Sequence, residues 1–377
     1  MALTEDGTPA MKDDAVPVES NRVRLAVLKH TIGGRMRFPR ERRGVWILNA
    51  ALLVVLAFEA PTFYTAGNIE TVLGDTAILG IVAAGMTVLI MAGAFDLSVT
   101  SIMGLAPIVA VSVAGDGSGL SLLLLSVLTG VGLGVVNGLV VTRGRVAPFV
   151  ATLGTLFVFG SIADIISKGN ALVVTNPTVL RLGTGSIGQL VPYSFLIMIA
   201  VFGMCHVLLR RLHLGRWVRA AGSNLRAAHV GGIDVRWVFF ALFVISGALT
   251  GLAGILLSGY LASADATQAP NYNLNAIAVV VVGGTSLRGG EGTLVGTALA
   301  AWLFAVVGNG LVLLGVNSYW QYVATGIIVI LALILGKVGF GGEIWPRRRS
   351  ISGGAPPQSL GVAPTAAAAV DSAPSDV

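Results

Sequence analysis

The chain has 377 residues, 55% of them hydrophobic and 11% charged, with 50 glycines and a formal net charge of +6, and its mean hydropathy is +0.85. A soluble globular domain carries about 25% charged residues and about 7% glycine, so this composition excludes a nucleic-acid-binding module, a disordered scaffold and an ordinary soluble enzyme. It predicts an all-α polytopic membrane protein; at about 20 residues per span, ten crossings fit within the chain.

In chain order, residues 1–43 form a polar, basic cytoplasmic tail, with eight Lys/Arg between 21 and 43. That run is a topogenic, headgroup-contacting segment rather than a nucleic-acid site. Residues 1–20 are polar and the first apolar stretch begins near Trp46, which speaks against a cleavable signal peptide. A membrane domain is expected over 44–340, with apolar runs at 45–60, 76–94, 98–114, 120–142, 147–167, 192–209, 237–260, 274–287, 293–314 and 320–336. The gap at 95–97 is short enough for a hairpin or one broken helix. Residues 341–377, rich in Pro, Ala, Ser and Gly, are expected to be a disordered cytoplasmic tail.

Charge placement tests the count. With both termini cytoplasmic, the tails and the loops 143–146, 210–236 and 288–292 share one side and hold 22 of the 24 Lys/Arg; only Lys168 and Arg181 fall outside. Glu70, Asp75, Asp116 and Asp265 are then expected on the external side. This separation requires an even number of spans. NGLVV at 137–141 followed by FVAT at 149–152 is echoed by NGLVL at 309–313 followed by YVAT at 322–325. A five-span offset between the copies predicts two five-helix halves in opposite orientation, an inverted repeat of the kind found in transporters.

The sequence carries no recognisable motif for covalent chemistry. There is no phosphate-cradling GxxxxGK[ST] loop and no HExxH or CxxC pattern. His30, His206, His213 and His229 form no cluster with metal-ligand spacing, and the lone Cys205 cannot form an intrachain disulfide. No metal or cofactor is expected on this chain.

The informative segment is the cytoplasmic loop 210–236, RRLHLGRWVRAAGSNLRAAHVGGIDVR. It reads as two short helices separated by Gly222-Ser223-Asn224, with Ser223 or Asn224 capping the second and Gly231-Gly232 ending it. A short helix on the membrane surface, with small Ala227 and Ala228 allowing close approach, suits docking into a groove on another protein. Asp96 is expected at the cytoplasmic end of the second span with Ser98 capping the helix that follows. Arg288 and Glu291 lie in a glycine-rich turn, GGTSLRGGEG, where they pair with each other or touch a partner. Asn137 and Asn309 sit deep in apolar spans, so each amide must bond a neighbouring helix or something in the pathway.

GRWVRAAGSNLRAAHVGGI resembles the cytoplasmic signature GRxxxAxGxNxxAAxxxGI of the ribose-type family of ABC importer permeases, matching it at Gly215, Arg216, Ala220, Gly222, Asn224, Ala227, Ala228, Gly232 and Ile233. MAGAFDLSVTS at 91–101 is similar to the family's TGGIDLSVGS, and LNAIAVVVVGGTSLRGGEGTLVGT at 274–297 to its LxAIAAVVxGGTSLxGGxG segment. The chain departs from the pattern at Asn273 and Asn275, where acids are frequent, at Ala94 and Phe95, and at Gly308.

The resemblance implies a permease subunit in a bacterial plasma membrane, usually a homodimer. Its partners would be two ABC ATPase subunits, which carry ATP and Mg, and an extracytoplasmic solute-binding protein. The coupling contact would be made by Gly215, Arg216, Gly222, Asn224, Ala227, Ala228 and Gly232. The solute expected is a monosaccharide or related polyol. Branched-chain amino acids, nucleosides or a signalling sugar fit the same mechanism. A stand-alone secondary transporter would want ionisable groups within its spans, where only Glu59, Asp96 and Asp164 come near the bilayer; an intramembrane enzyme would want a catalytic pair.

Overall fold

The computed structural model describes residues 40–115 and 117–317, and from there to Ile330 only residues 319, 320, 323, 326, 327 and 330. Most of the basic segment 1–43, Asp116, most of the expected tenth span at 320–336 and the tail 341–377 therefore lie outside the described residues.

Every other expected span corresponds to a helix. These are α1 (Arg40–Glu59), α2 (Ala66–Ala92), α3 (Val99–Ala114), α4 (Gly119–Thr142), α5 (Pro148–Ser167), α7 (Tyr193–Arg210), α10 (Val235–Leu261), α11 (Tyr272–Val282) and α12 (Leu294–Leu313). Connecting segments add the short helices α6 (Pro177–Thr184), α8 (His213–Ser223) and α9 (Leu225–Val230), and a 3₁₀ turn at Pro61–Tyr64. Two antiparallel pairs of two-residue strands close the opposite end. One joins β1 (Leu172–Val173) to β4 (Ser263–Ala264); the other joins β2 (Ser186–Ile187) to β3 (Val191–Pro192). Among the described residues six helices, α2, α4, α5, α7, α10 and α12, are long and apolar enough to cross a membrane.

The break around 95–97 reverses the chain and does not interrupt one continuous helix: α2 ends against Gly222 and Gly290, whereas α3 runs back along α10, with Met103 against Gly254 and Gly104 against Ala266. Gly93 ends α2 in the left-handed region at φ 89°, and helix does not resume until Val99. The start of α2 corrects the sequence reading. The helix begins at Ala66 rather than near residue 76, so Glu70 and Asp75 lie within it and not in an external loop. Asn68, Glu70, Thr71 and Asp75 depress the local hydropathy, but helix formation follows backbone bonding and packing, which those side chains do not prevent.

α2 is the axis of the bundle. Every residue from Thr76 to Ala92 is buried, and α10, α12, α7 and α11 pack around it. Beside it, α4 and α10 form the most extensive helix pair. Ser126, Gly130, Gly134 and Gly138 recur every fourth residue along one stripe of α4. A Cβ added at Gly130 would strike the Gly247 carbonyl, at Gly134 the Phe243 carbonyl, and at Gly251 the Ser126 carbonyl. Ser126 Oγ donates to the Gly251 carbonyl at 2.8 Å across the same seam. This is the small-residue packing that membrane helices use where lipid supplies no hydrophobic drive to associate.

Gly132, on the same helix, faces open space. We expect Gly130→Leu to destabilise the protein by about 3 kcal/mol or more through overpacking, and Gly132→Leu to leave it nearly unchanged. Thermal aggregation of the purified protein in detergent, followed by size-exclusion chromatography, checks the contrast.

Candidate coupling segment and the polar contacts beneath it

The segment 210–236 folds through a series of local caps. α7 turns into α8 at Arg211–Leu212; in the first turn of α8 a Cβ on Gly215 would collide with the backbone of Leu209, and Arg219 Nη2 donates to the Leu209 carbonyl at 2.7 Å. Asn224 separates α8 from α9, and its Oδ1 accepts from the Ala227 amide at 3.0 Å. Asn224, and not Ser223, is thus the cap. α9 ends where the Ile233 amide reaches back to the Ala228 carbonyl at 3.0 Å, with Gly232 at φ 80°, a glycine-terminated helix end. Asp234 Oδ1 then caps α10 by accepting from the amides of Arg236 and Trp237 at 3.0 and 3.2 Å.

These caps set what the segment presents. Arg216, Leu225, Arg226, Ala227, His229 and Val230 are exposed, while Gly215, Val218, Ala221 and Ala228 are buried. Val230 is 83% exposed, which is unusual for an apolar side chain in such a short helix. Ala228 is therefore the inward alanine of the pair and Ala227 the outward one.

The inner side of the segment rests on the end of α2. The Gly290 amide donates to the Met91 carbonyl at 2.8 Å, and a Cβ on Gly222 would overlap both of those groups. Gly289 and Gly290, at φ 83° and 81°, press against the backbone of Gly222 and the side chain of Ser223. The chain thus brings Gly222 and the GGTSLRGGEG turn together over the last turn of α2. Arg288 and Glu291 are exposed on that turn. Next to α9 an open hollow of about 1040 Å³ is lined by Gly93, Thr142, Arg145, Pro148, Leu225, His229 and Arg236, which places the α4–α5 turn on the same face.

Asp96, Ser98 and Asn137 also converge. Asp96 is fully buried, and its Oδ1 accepts from the amide and hydroxyl of Ser98 at 2.9 and 2.6 Å. Ser98 stands at the N-cap position of α3 but makes no side-chain cap bond; its hydroxyl is drawn to the carboxylate two residues earlier, which corrects the expected capping role. Asn137 Nδ2 donates to Ser98 Oγ at 2.8 Å, and Thr155 Oγ1 donates to Asn137 Oδ1 at 2.7 Å. Thr155 carried no sequence signal; it is recruited from α5 because α4 and α5 lie side by side around the start of α3.

Asn309 is not part of this group. It forms a reciprocal amide pair with Asn68 of α2, at 2.9 and 2.8 Å. Among the described residues no group of three or more His, Cys, Asp or Glu side chains is placed to hold a metal ion.

The family described as "Branched-chain amino acid transport system / permease component" matches residues 68–333. The ribose import permease protein RbsC of Bacillus subtilis is 34% identical over 330 residues, covering 87% of this chain and 99% of the relative. RbsC of Escherichia coli K12 is 34% identical over 324 residues, 81% and 97% of the two chains. The galactose/methyl galactoside import permease protein MglC of Escherichia coli K12 is 29% identical over 320 residues, 79% and 94%. No solved structure matches the chain. The matched segment contains the reversal after Gly93, the capped α8–α9 pair and the glycine turn that seats it, and the chain belongs to this family, in its ribose-type group of ABC permease subunits, as a non-catalytic, multi-pass membrane component of a transporter.

Proposed function

We propose that this chain is the membrane-spanning subunit of an ATP-binding-cassette importer that carries a small polar solute, a monosaccharide or related polyol, into a bacterial cytoplasm. The observation that carries the reading is the α8–α9 pair: a short capped helix with an outward Ala227 and Arg216, its base pressed by Gly222 onto the end of the buried axis helix. A push on such an element reaches the bundle centre through backbone contacts. The relatives, ribose and galactose import permeases, favour a sugar over the branched-chain amino acids of the family description.

In this reading ATP and Mg are held by separate ATPase subunits. Two copies of the permease frame the pathway, and an external binding protein delivers the solute. Ten spans with both ends cytoplasmic, in two inverted five-helix halves, fit the helix lengths. α2 and α10 have 27 residues each, each is followed by a shorter helix, α3 or α11, and α4 and α12 carry the repeated NGLV. The basic segment 1–43 and the tail 341–377 then flank the permease domain 44–340 on the cytoplasmic side. Gly215, Arg216, Gly222, Asn224, Ala227, Ala228 and Gly232 form the coupling contact, with Arg288 and Glu291 beside it. Asp96, Ser98, Asn137 and Asn309 serve to hold helices in register within the bundle.

Purification of the tagged chain from its native membrane in mild detergent is expected to recover a P-loop ATPase in near-equal amount, and a binding protein after cross-linking. Recovery of the chain alone under both conditions overturns the reading. Arg216→Glu and Ala227→Trp are each expected to lower solute uptake about tenfold or more by spoiling the docking face, and to reduce the co-purified ATPase without reducing the permease in the membrane. Uptake equal to the unmodified protein would remove the coupling assignment.

A further inference from the structure

Asp75 has no task in the coupling segment or in the polar pairs of the bundle. It stands about 24 Å along α2 from Met91, away from the seat of α8–α9. Two tyrosines share its surroundings. Tyr260 lies in the last turn of α10 and Tyr272 opens α11; both helices pack against α2, and the Asp75 carboxylate is within electrostatic reach of both phenols. The stretch between the tyrosines is irregular backbone inside the bundle. It leaves α10 at Ala262 and enters α11 at Asn271, with φ 53° and 61°. Gln268 anchors it: its Nε2 donates to the Met103 carbonyl at 2.7 Å, and its Oε1 accepts from Ser258 Oγ at 3.0 Å. The Ala266 backbone lies against Gly104 of α3, and the Gly259–Tyr260 backbone against Gly183 of α6. Non-helical backbone at membrane depth is tolerated where it is buried in protein or lines a polar cavity, and here it fixes where both tyrosines stand.

We propose that Asp75, Tyr260 and Tyr272 form a solute-contact site at the end of the bundle away from α8–α9, which takes a neutral, polyhydroxylated ligand. This rests on the importer reading above.

The three side chains have hydrogen-bonding capacity that the protein does not use. Among the described residues none of their side-chain oxygens takes part in a hydrogen bond, and no cation lies close enough to act on Asp75. Nor are they sealed in. Ser194 Oγ, Ser246 Oγ and Thr285 Oγ1 are shut away without partners, whereas Asp75 and Tyr272 are half-buried and Tyr260 is 40% exposed, so their oxygens stay within reach of a ligand. A carboxylate without donors is costly in an apolar bundle, and a ligand that supplies the donors removes that cost.

The chemistry of the three groups selects the ligand. A carboxylate offers only acceptor lone pairs, and each phenol both donates and accepts, so together they match a row of hydroxyls. Neighbouring hydroxyls of a sugar or polyol donate to Asp75 and exchange bonds with the tyrosines. An amino acid would bring a carboxylate of its own, for which this group of side chains holds no cation. The tyrosine rings add apolar faces beside their polar tips, suited to the C–H face of a sugar ring.

The test uses the complete transporter, with the binding protein recovered in the purification described above, in proteoliposomes supplied with ATP. The probes are labelled D-ribose, D-galactose, D-sorbitol and leucine, followed by monodeoxy analogues of whichever sugar or polyol is carried. Asp75→Leu is expected to lower uptake of the carried probe about tenfold at saturating binding protein, and Tyr260→Phe and Tyr272→Phe about threefold each, with the ATPase still co-purified. For one deoxy analogue, carried poorly by the unmodified complex, the difference between that complex and Asp75→Leu is expected to shrink to about twofold or less, because the hydroxyl that meets the carboxylate is already gone. Asp75→Asn, of the same size, is expected to show the same dependence on the analogue and serves where Asp75→Leu does not assemble. An equal proportional loss for every analogue makes Asp75 a packing residue and overturns the site. ATP-dependent uptake of leucine and of no sugar or polyol overturns the ligand class and the site with it. If the unmodified complex takes up no probe with ATP, the sugar-importer reading itself fails. Uptake by the unmodified complex that all the variants keep removes the site alone.

Discussion

The seam between α4 and α10 is the contact on which the remaining architecture depends. Two helices that meet at glycine, with carbonyls facing Cα atoms, leave no room for a side chain to shift their spacing or register. In a bilayer this matters more than in water, because apolar side chains gain little by leaving lipid for protein. Close backbone approach supplies the dispersion contacts, and one cross-helix bond from Ser126 to Gly251 sets the register. With that pair locked, α10 holds α6 at one end and follows α9 at the other, and α4 brings Asn137 to the start of α3.

The second constraint is satisfaction of polar groups away from water. The axis helix α2 is buried over its inner seventeen residues; two polar pairs tie it to α12, while Ser246 Oγ, against Gly85, is buried without a partner. Thr87 and Thr297 share a hydrogen bond of 2.8 Å, and Asn68 and Asn309 exchange amide bonds. The Asp96–Ser98–Asn137–Thr155 chain bonds the reversal between α2 and α3 in the same way, leaving Asp96 Oδ2 buried without a partner. It ties the non-helical stretch between α2 and α3 to α4 and α5, where otherwise freed backbone groups would favour another path. The break is stable because side chains from three elements converge on it.

The same logic separates the α8–α9 face from the rest. α8 and α9 are too short to be stable alone, and their order comes from caps at Asn224, Gly232 and Asp234 and from the backbone seat at Gly222. An element ordered by its ends and its base keeps its outer face free, so Arg216, Ala227 and Val230 are available to a partner. The base of that face rests on carbonyl and amide contacts at Met91, Gly222 and Gly290 and not on flexible side chains.

Local features were legible in the chain without its fold. Apolar runs located nine helices, Asn224 and the paired glycines located the ends of α9, and lysine and arginine placement grouped the loops that the structure joins over the end of α2. These are properties of short windows, where hydropathy, capping chemistry and charge act within a few residues. The tertiary structure decided the rest. It started α2 at Ala66 and so enclosed Glu70 and Asp75, because packing and backbone bonding override a few polar side chains. It turned Ser98 away from its cap toward Asp96, and it chose Thr155 and Asn68 as the partners of the two buried asparagines. It made Ala228 the inward alanine and Ala227 the outward one. Apart from the local Ser98–Asp96 contact, these outcomes depend on which helices are neighbours, a relation set by backbone contacts between residues more than a hundred positions apart, as at Gly130 and Gly247, and no short window of sequence contains it.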